Sequence, residues 1–370
     1  MPGPLRPRRT GASARPAVVA VTGAGSGAGA AVLARLAASP RIARVVGVDA
    51  TVALGLEQKP GGPDLSWYEV DMADPRITGA FAGVTAVAHL AVDLAPDADR
   101  AGQRRRNTRA AQTVITAAFA AGVRRVVVVS SALAYGAYED NPVPLDDDAP
   151  LRAVPEASVV GDLLEIERIA AASRRSHRGL AVTVLRPAVV LGAGDREPMA
   201  ALLSAPRLLR IRGAATRWQF CHVADLAAAV ELAALAPPGE LDGPANVACA
   251  SWLDHDELER VSGRRSLELP ERVAVGTAER LHRLGLTPAP PSELAYLVHP
   301  WVVDSARLRT AGWRPRYSNE EAVAEHVREL GRGGWRDGRG ATAAAGAAGA
   351  AVALVGTAAL VRRARRRRSG

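Results

Sequence analysis

The sequence predicts an α/β fold: a doubly wound parallel sheet with a smaller C-terminal subdomain. Three observations carry that prediction. Short apolar runs rich in β-branched residues alternate with segments whose apolar residues recur at helical spacing, as in strands joined by crossover helices. The first run, Val18 to Val21, passes at once into Thr22-Gly23-Ala24-Gly25-Ser26-Gly27-Ala28-Gly29, a glycine-rich turn of the kind that lets a chain reverse tightly into a helix. The second run, Arg44 to Asp49, closes on a carboxylate twenty residues past Gly29.

Each element follows in order. Val32, Leu33 and Leu36 mark the apolar face of a first helix that Pro40 stops. After a loop rich in Pro and Gly come two more strands, Leu65 to Asp71 and Val84 to Ala91. A long helix over about Ala98 to Ala121 leads to Arg125–Ser131 (RVVVVSS), the most β-branched strand of the chain. A helix over about Glu156 to Ser176 precedes the sixth strand, Leu180 to Arg186. From Gly192 to about Leu330 the alternation is shorter and less regular, and no internal repeat is present.

At 370 residues the chain can bury a large core, and 48% hydrophobic with 23% charged residues is ordinary for a globular protein. Its formal net charge of +9 is a property of the ends. Arg6, Arg8, Arg9 and Arg15 stand in the first fifteen residues, and Arg362, Arg363, Arg365, Arg366, Arg367 and Arg368 in the last nine. These ten arginines exceed the net charge, so the body between them is close to neutral and no specific nucleic-acid partner is expected. Cys221 and Cys249, behind a basic leader without an apolar stretch, predict reduced thiols and a cytoplasmic setting.

Placed between strand and helix, Gly23, Gly27 and Gly29 let the backbone approach a pyrophosphate, which rests on amides at the helix N-terminus. Asp49 stands where a carboxylate accepts the 2′-hydroxyl of an adenosine ribose, and no arginine follows it directly, which favours NAD over NADP. The expected organisation is a disordered leader over 1–15, a Rossmann NAD(P)-binding domain over 16–191, a substrate-type subdomain interleaved with it over 192–330, and a tail over 331–370.

With these residues in place, the chain resembles the extended short-chain dehydrogenase/reductases, the NAD-dependent epimerase/dehydratases, from about Val18 to Val327. VDMADP (Val70–Pro75), VAHLA (Val87–Ala91) and the passage RNTRAAQTVITAAFAAGVRRVVVVSSALAYG are similar to family segments. So are NPVPLDDDAPL, VTVLRPAVVLG, WQFCHVADLAAAV and VVDSARLRTAGWRPRY, in the family's order. The resemblance implies cofactor contacts at Asp71 and Met72, along Leu90 and Ala91, and at Asn107 and Ser130. The glycine spacing is closer to the short-form branch. Arg217 lies five residues before His222, whereas nucleotide-sugar epimerases place a diphosphate-binding arginine four before the equivalent histidine.

In that family a tyrosine moves the proton, a lysine four residues on lowers its pKa and holds the nicotinamide ribose, and a serine polarises the substrate carbonyl. The i, i+4 spacing puts phenol and ammonium on one helical face. Ser131 matches the serine. Counting on places Val159 at the tyrosine position and Leu163 at the lysine position. Lys59 is the chain's single lysine, and no tyrosine stands four residues before it, so the dyad is absent whatever the alignment. Losing general acid–base help costs on the order of 10²–10⁴ in rate.

Ser131 and Tyr135 are the residual catalytic candidates, with Tyr138 as a second phenol. His222 is expected to be structural. His255 with Asp254, Asp256 and Glu257 reads as an acidic first helical turn, and no metal is expected. Asp146 to Asp148 reads as a solvated turn, and the two cysteines as buried small residues.

Ala341 to Val361 holds no charge over 21 residues, eleven of them Ala and five Leu or Val. At about −0.3 to −0.6 kcal/mol each, those five contribute only about −1.5 to −3 kcal/mol towards insertion. Three readings stay open for residues 341–370: a helix lying on an anionic membrane surface through its arginines, a span, or a disordered or non-specifically polyanion-binding tail.

The function expected is NAD(P) binding with weak or no redox catalysis, in a sensor, scaffold or accessory role. The alternatives are an active oxidoreductase or epimerase on a nucleotide sugar or similar alcohol, and a membrane-surface module. The partners expected are a dinucleotide and a small molecule, with a homodimer left open.

Overall fold

The computed structural model describes residues 16–51, 63–94, 99–193, 199–237, 239–284 and 290–332. It opens with β1 (Ala17–Thr22), α1 (Gly27–Ala37), β2 (Ile42–Asp49), β3 (Asp64–Glu69) and β4 (Ala86–His89). There follow α2 (Arg100–Ala120), β5 (Arg125–Val129), α3 (Val159–Ser176) and β6 (Ala181–Pro187). These strands stand in the order β3-β2-β1-β4-β5-β6, and every pair is parallel. Parallel strands covered on both faces read as continuous apolar runs, and Val19, Ala20 and Val21 of β1 are accordingly all fully buried.

The doubly wound expectation therefore holds. The chain leaves β1 towards β2 and β3, then crosses back to β4 on the other side of β1. At that reversal the connections beyond β1 and β4 diverge and leave a crevice at the strands' carboxyl ends.

The remaining elements are β7 (Val189–Leu191), β8 (Leu208–Ile211), β9 (Phe220–His222), α4 (Val223–Leu235), β10 (Gly243–Val247), α5 (His255–Ser262), β11 (Ser266–Leu269), α6 (Glu271–Arg283), α7 (Ala306–Thr310) and α8 (Asn319–Arg332). β10 returns to the main sheet and pairs with β6 as its seventh strand, while α4 packs beside α1. Residues 223–247 thus complete the first sheet although they lie within the stretch expected as subdomain. Helices α2 and α3 pack on each other, and their apolar side chains join one face of the sheet. α1 and α4 cover the other. A further apolar cluster joins the parallel pairs β8–β11 and β7–β9 to the start of α3 and the turn after β5.

Several boundaries differ from the sequence expectation by two or three residues, and two of them have a visible cause. β3 ends at Glu69, because Asp71 opens a turn in which its Oδ1 accepts from Ala73 N at 2.7 Å. α3 begins at Val159, because Ser158 caps it, its Oγ accepting from Gly161 N at 3.1 Å. The acidic turn around His255 is a capping box between Asp254 and Glu257. Among the described residues no helix is long and apolar enough to cross a membrane. The basic leader, Lys59 and the segment 341–370 lie outside the described residues.

Candidate functional site

The crevice begins where β1 ends. Gly23 has φ +76°, and a Cβ there would lie 2.7 Å from Ala91 N, so the backbones following β1 and β4 touch. Ser26 caps α1: its Oγ accepts from Gly29 N at 2.9 Å and donates to Gly23 O at 2.8 Å. A Cβ on Gly29 would stand 1.9 Å from that same Gly23 carbonyl oxygen. The turn therefore tolerates no side chain at either position, and while Gly29 N is taken by Ser26 Oγ, Gly27 and Ala28 at the start of α1 line the crevice. Gly27 is required for another reason. A Cβ there would lie 1.9 Å from Ala193 O, so the chain following β7 crosses directly over the glycine turn.

Asp49 closes β2 beside this turn. Its Oδ2 accepts from Gly25 N at 2.8 Å and its Oδ1 from Ala50 N at 2.7 Å, which fixes the carboxylate above the glycines. Gly25 and Asp49 are thus hydrogen-bonded to each other at the adenosine end expected for a dinucleotide.

A cavity of about 110 Å³ continues from Ser26 and Gly27 past Leu90 and Val92 to Ser130, Ser131, Leu163 and Pro187. Ser131 caps the short turn 132–135, with its Oγ accepting from Leu133 N at 3.3 Å. Ser130 Oγ is buried and has no hydrogen-bond partner. A buried hydroxyl left unpaired is costly, and one on a cavity wall is positioned for a ligand's polar atom. The wall opposite is apolar. Leu163 is fully buried and Val159 nearly so, both packed in the cluster that holds Leu133, Leu191 and Leu203.

Of the remaining expected contacts only Leu90 lines this cavity. Asp71 is committed to its own turn, and Met72 packs partly buried against the face of the sheet beneath α2. Leu90 lines the cavity, and Ala91 meets Gly23 through its backbone. For Asn107 the structure gives a different role from the expected cofactor contact. Its Oδ1 accepts from Asp93 N at 3.0 Å, while Nδ2 reaches Asp93 O and Asp162 Oδ2, both at 3.1 Å. The side chain is consumed in pinning the segment after β4 to α3.

Tyr135 is also corrected. Its hydroxyl donates to Asn246 Oδ1 at 2.8 Å and accepts from Arg186 Nη1 at 2.8 Å, and the residue is 1% exposed. Burial pushes the phenol's pKa up, against the opposing pull of Arg186. Arg186 is itself held by Glu167 through two contacts of 2.8 Å. Tyr135 is thus part of a buried lock between α3, β6 and β10. Tyr138 donates to Arg152 O at 2.7 Å. His222 caps α4, accepting from Ala224 N at 3.2 Å, and stacks on Tyr317.

Sequence reasoning missed two groups. His89, at the end of β4, bonds Thr22 Oγ1 through Nδ1 at 2.8 Å and is fully buried, with Nε2 unpartnered. Burial lowers its pKa to about 4 and keeps it neutral. VAHLA contained this histidine, but only the pairing of β1 with β4 reveals its partner. The second is Asp162, fully buried beside Leu163 and held by Arg100 at 3.1 Å and Asn107. Burial raises its pKa, with Arg100 the main opposing influence. At the position expected of a nucleotide-sugar arginine, four before His222, stands the buried Trp218, while the Arg217 guanidinium lies 5.3 Å from the Trp252 ring centre.

The comparisons with known proteins agree with this fold. The model of the NAD dependent epimerase/dehydratase family matches residues 19–248. An uncharacterized protein of Mycobacterium tuberculosis is 30% identical over 323 residues, covering 85% of each chain. Among solved structures, the UDP-N-acetylglucosamine 4-epimerase of Methanobrevibacter ruminantium has a TM-score of 0.65 at 18% identity, covering 86% of this chain and 99% of that one. The UDP-glucose 4-epimerase of Thermus thermophilus, solved with NAD, has a TM-score of 0.63 at 18% identity, covering 85% and 98%.

Proposed function

Because the chain belongs to the NAD dependent epimerase/dehydratase family, we propose that it binds NAD in the crevice between β1 and β4 and has lost the family's proton transfer. One observation carries this reading. The cradle of Gly23, Ser26, Gly29 and Asp49 is intact, whereas the cavity that holds Ser131 is lined by Leu163, with Val159 buried in the same apolar cluster as that leucine.

The residues fit the cofactor. The start of α1 suits a pyrophosphate, the fixed Asp49 carboxylate suits a ribose diol, and the unpaired Ser130 hydroxyl faces the far end of the cavity. When bound, NAD supplies hydride exchange. Among the described residues that line the cavity there is no phenol, imidazole or ammonium, and the one titratable side chain is Asp93; Tyr135 is locked to Arg186, and His89 is fully buried and bonded to Thr22. Ser131 alone could still orient a carbonyl. Carrier, sensor or scaffold roles follow, because binding without turnover reports cofactor occupancy.

Titration with NADH, followed by its fluorescence and by calorimetry, tests the first half. Saturable binding is expected, tighter than that of NADPH. Absence of any signal at millimolar cofactor would overturn it. Absorbance at 340 nm with a panel of nucleotide sugars and simple alcohols tests the second half, where no turnover is expected. Steady NADH formation that persists after Tyr135→Phe and vanishes in Ser131→Ala would show that catalysis survives by another route.

A further inference from the structure

Away from the crevice, the parallel strands β8 and β11 enter the subdomain side by side, with Leu208 opposite Ser266. The residues just before them are therefore neighbours: Arg207 before β8, and Arg264 and Arg265 before β11. These three arginines line a cavity of about 460 Å³, whose wall is completed by Ser262 at the end of α5 and by Val327 on α8. It shares no residue with the cavity at the glycine turn.

None of these three arginines has a carboxylate partner among the described residues. On the same strand, by contrast, Arg210 pairs with Asp256 and Arg212 with Glu268, and Arg186 is held by Glu167 inside the core. Arg264 is also fixed in place: Nη1 donates to Ala205 O, while its Nε is buried with no acceptor. Burial without a carboxylate to offset it lowers this guanidinium's pKa. The C-terminal end of α5 adds about half a negative charge at most, against three full positive ones. Like charges gathered without counterions repel one another, and an arrangement of this kind is relieved by a bound anion.

We infer that this cavity binds a phosphate-bearing ligand, held by Arg207, Arg264 and Arg265. Guanidinium forks match phosphate oxygens in pairs, which a point charge does not. The volume lies in the range of small-molecule sites and exceeds what a lone phosphate fills, and Val327 with Pro206 gives the rest of the ligand an apolar surface. The phosphate belongs either to a soluble metabolite or to a lipid headgroup.

Inorganic pyrophosphate titrated calorimetrically into the full chain, with excess NADH present to occupy the glycine turn, is the probe for the soluble source. Co-sedimentation with phosphatidylglycerol vesicles diluted in phosphatidylcholine is the probe for the lipid source. Both are run on wild type and on Arg207→Gln/Arg264→Gln, with circular dichroism and the melting temperature showing that the variant folds. The double substitution is expected to weaken one of the two associations by on the order of tenfold or more. Loss in the pyrophosphate arm identifies a soluble ligand, and loss confined to the vesicle arm identifies a headgroup. Wild type and folded variant behaving alike in both arms would overturn the assignment.

Discussion

The two ends of the crevice are built on different principles. At the adenosine end, backbone does the positioning: Gly23, Gly25 and Gly29 are placed by the turn, and Ser26 and Asp49 bind to that backbone rather than to other side chains. At the opposite end, side chains decide. Val159 and Leu163 turn the first face of α3 into core, while Asp162, on the neighbouring position of the same helix, is drawn into pairs with Arg100 and Asn107. A backbone cradle keeps its shape when side chains around it change. A proton-transfer site does not survive the loss of two of them. The dinucleotide fold and the chemistry it usually serves are therefore separable in one chain, and each end can be perturbed alone.

The largest effect is expected from Leu163→Lys. This position is fully buried in an apolar cluster, and an ammonium there costs several kcal/mol unless it sheds its proton. The introduced lysine's folded pKa falls below its unfolded value of about 10.4. The destabilisation is therefore small near pH 10 and grows as pH falls, until the folded pKa is reached. Thermal melting from pH 10 to pH 6 checks this. A melting temperature unchanged across that range would mean that the catalytic end is open to solvent and that the contrast drawn above is wrong.

Next comes His89, which lies beneath the adenosine end. Its pKa of about 4 in the folded chain, against about 6.5 unfolded, means that only the unfolded state gains a proton as pH drops through 6.5. Stability from the neutral ring is complete above about pH 6.5 and is lost down to about pH 4. The limiting slope is about 1.4 kcal/mol per pH unit. Urea unfolding of wild type and His89→Gln between pH 7 and pH 5 isolates it, since wild type should show the steeper loss. Parallel curves would place a counter-charge near the ring.

Much of this was legible in the sequence, and the part that was not has a common cause. The alternation of strands and helices, the glycine turn, Asp49 and the absence of a Tyr–Lys pair follow from local patterns: apolar runs, turn chemistry, and the existence of one lysine in the chain. The lock around Tyr135 was not legible, because its hydroxyl meets residues 51 and 111 positions away. A phenol near a predicted strand end reads as exposed until β10 is known to close the sheet beside β6. The same holds for Asn107, whose expected contact is displaced by Asp93 and Asp162. The close approach at Gly27 was not legible either, since the chain at Ala193 returns from 166 positions away.

That lock gives a sharper test. Tyr135→Phe removes one hydroxyl and leaves Arg186 Nη1 and Asn246 each short of a partner, at about 1–3 kcal/mol. If Tyr135 belongs to the scaffold, unfolding free energy falls by that amount while the affinity for NADH is unchanged. A variant of full stability with altered NADH binding would return the phenol to the site.

The smallest effect is expected at Asp49, and it bears most directly on which dinucleotide is bound. The carboxylate is already satisfied on one side by Gly25 N and Ala50 N, so Asp49→Asn keeps a side chain of the same shape that can still accept from one of these amides. What it loses is the charge facing the ribose. A charge-assisted hydrogen bond contributes about 1.5–3 kcal/mol and a neutral one about 1, so the substitution should weaken NADH binding by roughly tenfold. The same charge repels a 2′-phosphate, and its removal should leave NADPH binding unchanged or improved. The ratio of the two affinities therefore moves more than either alone, which separates a ribose contact from a general loosening of the glycine turn. Equal loss for both cofactors would mean that Asp49 acts only through Gly25, as a support for the turn and not as a reader of the ribose.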